Sequence, residues 1–501
     1  MIPSLMTDRH PITVRISISC ARKHPWQVFL AALSLLAIVF PSKGWAQTNE
    51  GHYIYQTQAG DTPAALAARF RVRLEDIQLP GPTGVDQLLS PGQALIILGV
   101  PAGTQLTERL LPDSEVIYSP SAKDFDVVGF VDQAGGFLSS HREYLRSSGW
   151  TSAAEVVKRV ALENSVNPRL LLALLEYRCG CVLGRLPENV DPDNLMGIHS
   201  SDRRGLYRQL GWVVNQLSLG YYGWRNGLVT DLVLDDGSIK ALAPDLNAGS
   251  VAVEYLLTQL VEARAWQATI DEQTGFPAVF QRMFGNPWGR ARQVEPLYPV
   301  KLVQPELSLP FTPGRVWGFT SGPHKAWETN GALAALDFAP GSVKNGCINS
   351  TAWIVAVAPG VIARSQYGAV VLDLDGDGFE QTGWAILYMH VASRARVAEG
   401  TRLEAGDFIG HPSCEGGPAS GTHVHIARKY NGEWIAAAGP LPFVMDGWAP
   451  HAGFRPSEGT LTRDGHIVIA SPSTPAESFI SRSISSGLPV TQPRHDYWWD
   501  E

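Results

Sequence analysis

A multidomain α+β chain is predicted, and three stretches predict it. A short alternating run, a capped helix and a closing apolar strand occupy residues 47–100, apolar residues at helical spacing dominate 141–290, and short strands parted by glycine turns fill 300–455. The expected order is a small β-α-α-β module, an all-α block and a C-terminal antiparallel β domain. A chain of 501 residues suffices for roughly two to four domains with cores of their own.

Composition narrows the partners. Apolar residues make up 45% and charged ones 18%, which is globular, and a net charge of −8 supplies no basic field for nucleic acid. Fifteen tryptophans suit a surface that handles carbohydrate, although most tryptophan in any protein is core.

The first element, residues 1–46, reads as a signal peptide. Arg15, Arg22 and Lys23 precede the apolar run Val28 to Phe40, which is short for a bilayer span, and Gly44 and Ala46 suit cleavage before Gln47. An uncleaved anchor is the alternative and would be the chain's one membrane contact. No cysteine follows the run, so lipid attachment is not expected, and the protein is placed outside the cytoplasm, secreted or in the cell envelope. Cys20 leaves with the signal. In an oxidising setting Cys347 and Cys414 can pair, whereas Cys179-Gly180-Cys181 is tight for an easy bridge and its state stays open.

In the second element, Tyr53 to Gln58 alternates like a strand, and Gly60-Asp61-Thr62 turns into a helix Pro63–Phe70 capped by Asp61 or Thr62. A second short helix is expected over Leu74 to Ile77, and Pro91-Gly92-Gln93 leads to the strand Ala94 to Leu98. With its "AGDTPAALAARFRVRLEDI" and "LLSPGQALII", the unit resembles the LysM carbohydrate-binding module. That resemblance implies binding of N-acetylglucosamine-containing glycan. Gln78-Leu79-Pro80 stands where the module usually has an Asn after its second helix. Residues 101–140 read as a linker with a strand or two.

The helical block opens with the capping box Ser152-x-x-Glu155 and continues with Asn167-Pro168 before the apolar body Leu170 to Tyr177. Further helices are expected over 205–219, 250–264 and 278–284. The stretch "VNPRLLLALLEYRCG" resembles lysozyme-like lytic transglycosylases, whose catalytic Glu directly precedes a Ser-Gly pair. Arg178 stands there, before Cys179-Gly180, and Glu176 lies about 200° around the helix. An arginine does not give up its proton near neutral pH, so this block is expected to be non-catalytic, a glycan holder or a spacer.

In the last domain, pairing is expected between Trp353–Val357 and Val361–Ser365, between Ala369–Leu374 and Trp384–His390, and around Tyr430-Asn431-Gly432-Glu433. Gly421 to Ala427 reads as a strand, so His423 and His425 point to one face roughly 7 Å apart. The chemistry runs in the order His324, Asp337, His390, His423, His425. The pieces "SGPH", "LDFAPGS", "APGVI", "LYMH", "VAEGTRLEAGDFIG" and "SGTHVHIARKYNGEW" resemble, in order, the lysostaphin-type zinc endopeptidases that cut peptidoglycan cross-links.

The resemblance implies that His324, Asp337 and His425 ligate zinc and that His390 and His423 handle protons, with the identity of the general base left open. Two imidazoles and a carboxylate leave a fourth position for water on a tetrahedral ion. Twelve residues separate His324 from Asp337, a spacing that resembles the beta-lytic branch of that family. Whether the intervening loop gates or blocks a cleft is not legible. His411 and His451 read as structural or substrate-facing.

The run Asp373-Leu-Asp375-Gly-Asp377-Gly378 opens like a calcium loop, but Trp384 fills its twelfth place, so a solvated hairpin tip is the first reading and a weak calcium site the second. Residues 456–501 are expected to be a mobile tail.

The expectation is therefore an exported, monomeric zinc metalloendopeptidase acting on peptidoglycan glycan and stem peptides. The alternative is a wall-binding or activator protein that uses the peptidase fold as a scaffold.

Overall fold

The computed structural model describes residues 51–327, 330–341 and 346–483. The expected signal peptide lies outside the described residues, and no described helix is long and apolar enough to cross a membrane.

In the N-terminal module, the strands His52–Gln56 and Ala94–Leu98 pair antiparallel, and Ile77–Gln78 adds to the other edge of Ala94–Leu98. Thr62 caps Pro63–Phe70 through its hydroxyl. The expected second helix is a single 3-10 turn, Leu74–Asp76, because Ile77 is drawn into the sheet opposite Ile97 and buried. Asp61 does not cap the helix. It is buried, pairs with Arg69 and accepts from the Tyr55 hydroxyl at 2.7 Å.

The linker and all-α expectations are both corrected. Residues 101–140 contain the helices Val127–Ala134, capped by Asp126 and Gly135, and Phe137–Ser140, and they bury Leu110, Leu111, Val116 and Ile117. The helical unit also carries two hairpins, Arg142–Leu145 with Gly149–Ser152 and Asp231–Val233 with Ile239–Ala241. Their turns use Gly149 and Gly237 at φ 73° and 81°, a backbone region open to glycine. The helix Leu206–Arg225 outruns its expected end, since Gly220 does not break it. There the missing side chain admits Tyr255 and Ala252 of the neighbouring helix Ala248–Thr258, where a Cβ would lie 2.7–2.9 Å from them.

The C-terminal domain centres on a nine-stranded antiparallel sheet. In spatial order it runs Arg402–Leu403, Gly360–Gln366, Ala369–Asp373, Trp384–Met389, Val424–Tyr430, Ala335–Pro340, Val316–His324 and Phe479–Ser481, with Glu433–Trp434 beside Val424–Tyr430. Its inner strands are buried on both faces. Val370, Leu372, Ile386, Tyr388, Val424, Ile426, Leu336 and Phe338 form the domain's own core. The alternate residues Ala335, Ala369, Val371, Ala385, Leu387, Met389 and Ala427 share a core with the helical unit. Small side chains on that face let helices lie close to the sheet.

Two expectations about this domain differ from the structure. Ile354–Val355 pairs with Phe408–Gly410, not with the strand after Pro359-Gly360, while Gly360–Gln366 takes Ala369–Asp373 and Arg402–Leu403 as neighbours. Gly360 presses so closely on the Asp373 carbonyl that a Cβ would lie 2.3 Å away, which fixes that register. Residues 456–483, expected to be mobile, include the hairpin Gly459–Arg463 with His466–Ile469 and the edge strand Phe479–Ser481, anchored by buried Leu461, Val468 and Ile480.

Candidate metal centre

Sheet register assembles the site. Asp337 stands directly opposite His425 across paired strands, and His425 stands opposite Met389, the residue before His390. Val316–His324 pairs on the other side of Ala335–Pro340, with register shifts between Phe319 and Ser321 and between Ser321 and His324. Such irregularities re-aim a strand end, and here they bring His324 over Asp337. The long loop therefore still returns the His324 and Asp337 side chains to one point.

The five expected residues converge. His324 Nε2 lies 3.2 Å and His425 Nδ1 3.1 Å from Asp337 Oδ1, and the two imidazole nitrogens are 3.0 Å apart. His423 Nε2 lies 3.5 Å from Asp337 Oδ2. The His390 and His423 rings are 4.4 Å apart.

Backbone carbonyls set the tautomers. His324 Nδ1–H donates to the Gly322 carbonyl at 2.8 Å, His425 Nε2–H to Ala326 at 2.9 Å, His423 Nδ1–H to Gly421 at 2.7 Å and His390 Nδ1–H to Glu415 at 2.8 Å. Each imidazole thus turns its remaining nitrogen, a lone pair, toward the centre.

This leaves a cluster of acceptors without a donor. Asp337 Oδ1 is buried with no hydrogen-bond partner among the described residues. A shared proton could serve one His–Asp contact but not three lone pairs at once. A divalent cation serves all three. A tetrahedral ion with bonds of about 2.0–2.1 Å separates its ligand atoms by about 3.3 Å, close to the spacing here. His324, Asp337 and His425 therefore fit zinc, with a mixed nitrogen and oxygen donor set and room for a fourth ligand.

Electrostatics keep Asp337 ionised and His425 and His390 neutral, while Asp337 draws His324 toward its protonated form. Burial disfavours charge at His324, but the adjacent Asp337 outweighs it and raises the pKa. Burial alone would raise Asp337, yet His324, His425 and His423 hold it well below the usual carboxylate range. Burial lowers His425, and burial with the crowding of His423 and His425 pushes His390 down to about 3, so these imidazoles are neutral near pH 7.

The described residues of the loop between His324 and Asp337 are held against the helical unit. Ala326 and Trp327 sit in the core shared with the helical unit, and the Asn330 N–H donates to Asn215 Oδ1 at 2.8 Å. Gly331 abuts Ser218.

The other candidates have other duties. His411 donates Nδ1–H to Ala352 and its ring lies 3.9 Å from Trp353, while His451 bonds Thr462. Asp373, Asp375 and Asp377 cluster, but backbone N–H groups of their own turn occupy Asp373, and burial followed by Asp375 raises Asp373 to about 7. Glu176 accepts from the N–H groups of Val182 and Leu183, so it shapes a loop in the helical unit.

Both cysteine pairs are bonded. Cys347–Cys414 meets the expectation, and Cys179–Cys181, whose state the sequence left open, is bonded with Cα atoms 5.1 Å apart. Sequence reasoning missed Ser413, Glu415 and the carbonyls of Gly322, Ala326 and Gly421. Backbone acceptors carry no side-chain signature.

Comparison with known proteins gives four findings. Residues 109–298 match the family model described as LasA, N-terminal domain, which joins the expected linker to the helical block. Protease LasA of Pseudomonas aeruginosa is 26% identical over 357 residues, covering 67% of this chain and 77% of that relative. Among solved structures, the M23 metalloprotease pseudoalterin from the deep sea aligns at 23% identity and TM-score 0.29 over 34% of this chain and 96% of its own. The catalytic domain of lysostaphin from Staphylococcus simulans aligns at 21% identity and TM-score 0.18 over 24% and 87% respectively. The chain is thus similar to Protease LasA both in a helical region that matches a LasA domain and over most of its length.

Proposed function

We propose that the chain is an exported, zinc-dependent endopeptidase that hydrolyses peptide cross-links of peptidoglycan. The convergence of His324 Nε2, Asp337 Oδ1 and His425 Nδ1 carries the reading, and the similarity to Protease LasA supports it.

Zinc held by these residues supplies Lewis-acid chemistry, making water nucleophilic near neutral pH and polarising a carbonyl. The protein does the rest. His423 Nε2, facing the same point as His324 and His425, accepts a proton from the attacking water or, once protonated, steadies the developing oxyanion. His390, neutral and 4.4 Å ring to ring from His423, takes up at Nε2 a proton released by the attacking water and then passes it to the leaving amine. Asp337 stays ionised and balances the charge.

The N-terminal module is assigned to glycan binding and the helical unit to a non-catalytic role, since Glu176 is committed to backbone N–H groups. The protein acts as a monomer in the envelope or outside the cell.

Mass spectrometry of walls digested by the wild type and by His425→Ala tests the reading. New amine and carboxyl ends within cross-links, with glycan strands intact, are expected from the wild type alone. Walls left uncut, equal cutting by both proteins, or reducing or anhydro-sugar ends would overturn it.

A further inference from the structure

The residues that hold His390 come from one three-residue segment. The Ser413 N–H donates to the His390 carbonyl at 2.6 Å, Ser413 Oγ donates to the same carbonyl at 2.9 Å, and the Glu415 carbonyl accepts from His390 Nδ1 at 2.8 Å. Cys414 lies between them and is bonded to Cys347, 67 residues away in the chain.

His390 needs this support. Its backbone sits at φ 62°, a left-handed conformation that is unfavourable for a residue with a Cβ unless its surroundings hold it. The segment is also joined to its neighbours, since Pro412 bridges Val391, Ser413 bridges His423 and the Glu415 carboxylate accepts from the Ser393 N–H. Gly416, Gly417 and Pro418 follow it, and Cys347 lies in a loop without regular structure. The covalent link joins Cys414 itself to the Cys347 loop, whose hydrogen bonds run instead to Thr422.

The two disulfides also differ in access. Cys347 is exposed and Cys414 half-buried, whereas Cys179 and Cys181 are 4% and 0% exposed. A reductant in solution reaches the first pair and not the second.

We infer that the Cys347–Cys414 disulfide positions His390, so that breaking it slows turnover while zinc stays bound. This rests on the peptidase reading and deepens it. His324 and His425 donate their own hydrogen bonds to the carbonyls of Gly322 and Ala326, which lie on a different part of the chain. Reduction by a phosphine breaks the S–S bond and forms two thiols. Phosphorus gives up two electrons and becomes the phosphine oxide, and water supplies its oxygen and the two protons.

The test uses the full zinc-loaded chain and tris(2-carboxyethyl)phosphine without denaturant. Thiols, zinc content, kcat and KM are followed together. The expected result is two thiols per chain and a kcat lowered about tenfold or more, because small misplacements of a catalytic group cost 10–100-fold. KM should change less than about twofold, zinc should stay bound, and reoxidation should restore kcat. A Cys347→Ala, Cys414→Ala variant should match the reduced protein and ignore the phosphine, while Ser413→Ala should lower kcat with zinc retained.

Unchanged kcat after two thiols have appeared overturns the inference. So does zinc lost in step with activity, which would make the bridge a support of the metal. An oxidised protein without zinc or turnover overturns instead the reading beneath it, and the inference falls with it.

Discussion

Replacing Glu380 with Gln should cost the β domain about 3 kcal/mol, a figure that follows from two independent routes. Glu380 is 3% exposed and carries two cations, Arg364 through contacts of 2.6 and 3.1 Å and Lys429 at 2.7 Å. Burial opposes its charge, but Arg364 and then Lys429 prevail and bring its pKa from 4.5 to about 2. That fall of about 2.5 units is worth about 3 kcal/mol. Removing one partner of a buried ion pair costs about 3–5 kcal/mol. Burial already lowers the Lys429 pKa, so in the variant this lysine can shed its proton and keep the loss near the lower end.

The sign of the pH dependence follows from linkage. Glu380 has a depressed folded-state pKa, so its contribution is complete above about 4.5 and is lost as pH falls through about 2, where the native carboxylate takes up its proton. Urea unfolding of wild type and Glu380→Gln, read by tryptophan fluorescence, should show a gap of about 3 kcal/mol at neutral pH that closes as pH approaches about 2. A gap below about 1 kcal/mol at neutral pH, or one that does not narrow under acid, would refute the reasoning.

Three further outcomes are expected. His423→Ala should keep zinc and lose turnover by about 10²–10⁴-fold, the usual contribution of a proton-transferring side chain, and steady-state kinetics with metal analysis checks it. Tyr388→Phe should destabilise the β domain by about 1–3 kcal/mol in urea, because the buried Val357 N–H that donates to the Tyr388 hydroxyl at 2.9 Å is left without an acceptor. Thr62→Ala should cost the N-terminal module about 1 kcal/mol, since its hydroxyl caps the Ala65 N–H, and loss of amide protection in Pro63–Phe70 reports it.

Local chemistry was legible where side chains announce it. The His-x-His pair, the caps at Ser152 and Asn167 and the hairpin at Asn431-Gly432 follow from residue type and spacing, and the structure has each of them. The distance between His324 and Asp337 was harder to read, because two register shifts, which no motif encodes, decide whether they meet. Least legible was the docking of the helical unit on the sheet. Its signal is the run of alanines at 335, 369, 385 and 427, which looks like weak strand sequence until one asks what lies against it. The hairpin bearing Tyr144 and Trp150 was hidden in the same way, since four-residue strands compete poorly with the helical pattern around them.

The central claim is that His324, Asp337 and His425 form one cation site. Zinc analysis of the full chain after dialysis against a near-stoichiometric supply, run beside Asp337→Ala, tests it most directly. One zinc per chain in the wild type and little or none in Asp337→Ala is the expected result. A wild type that holds no zinc, or an Asp337→Ala variant that holds it as well, would contradict the account.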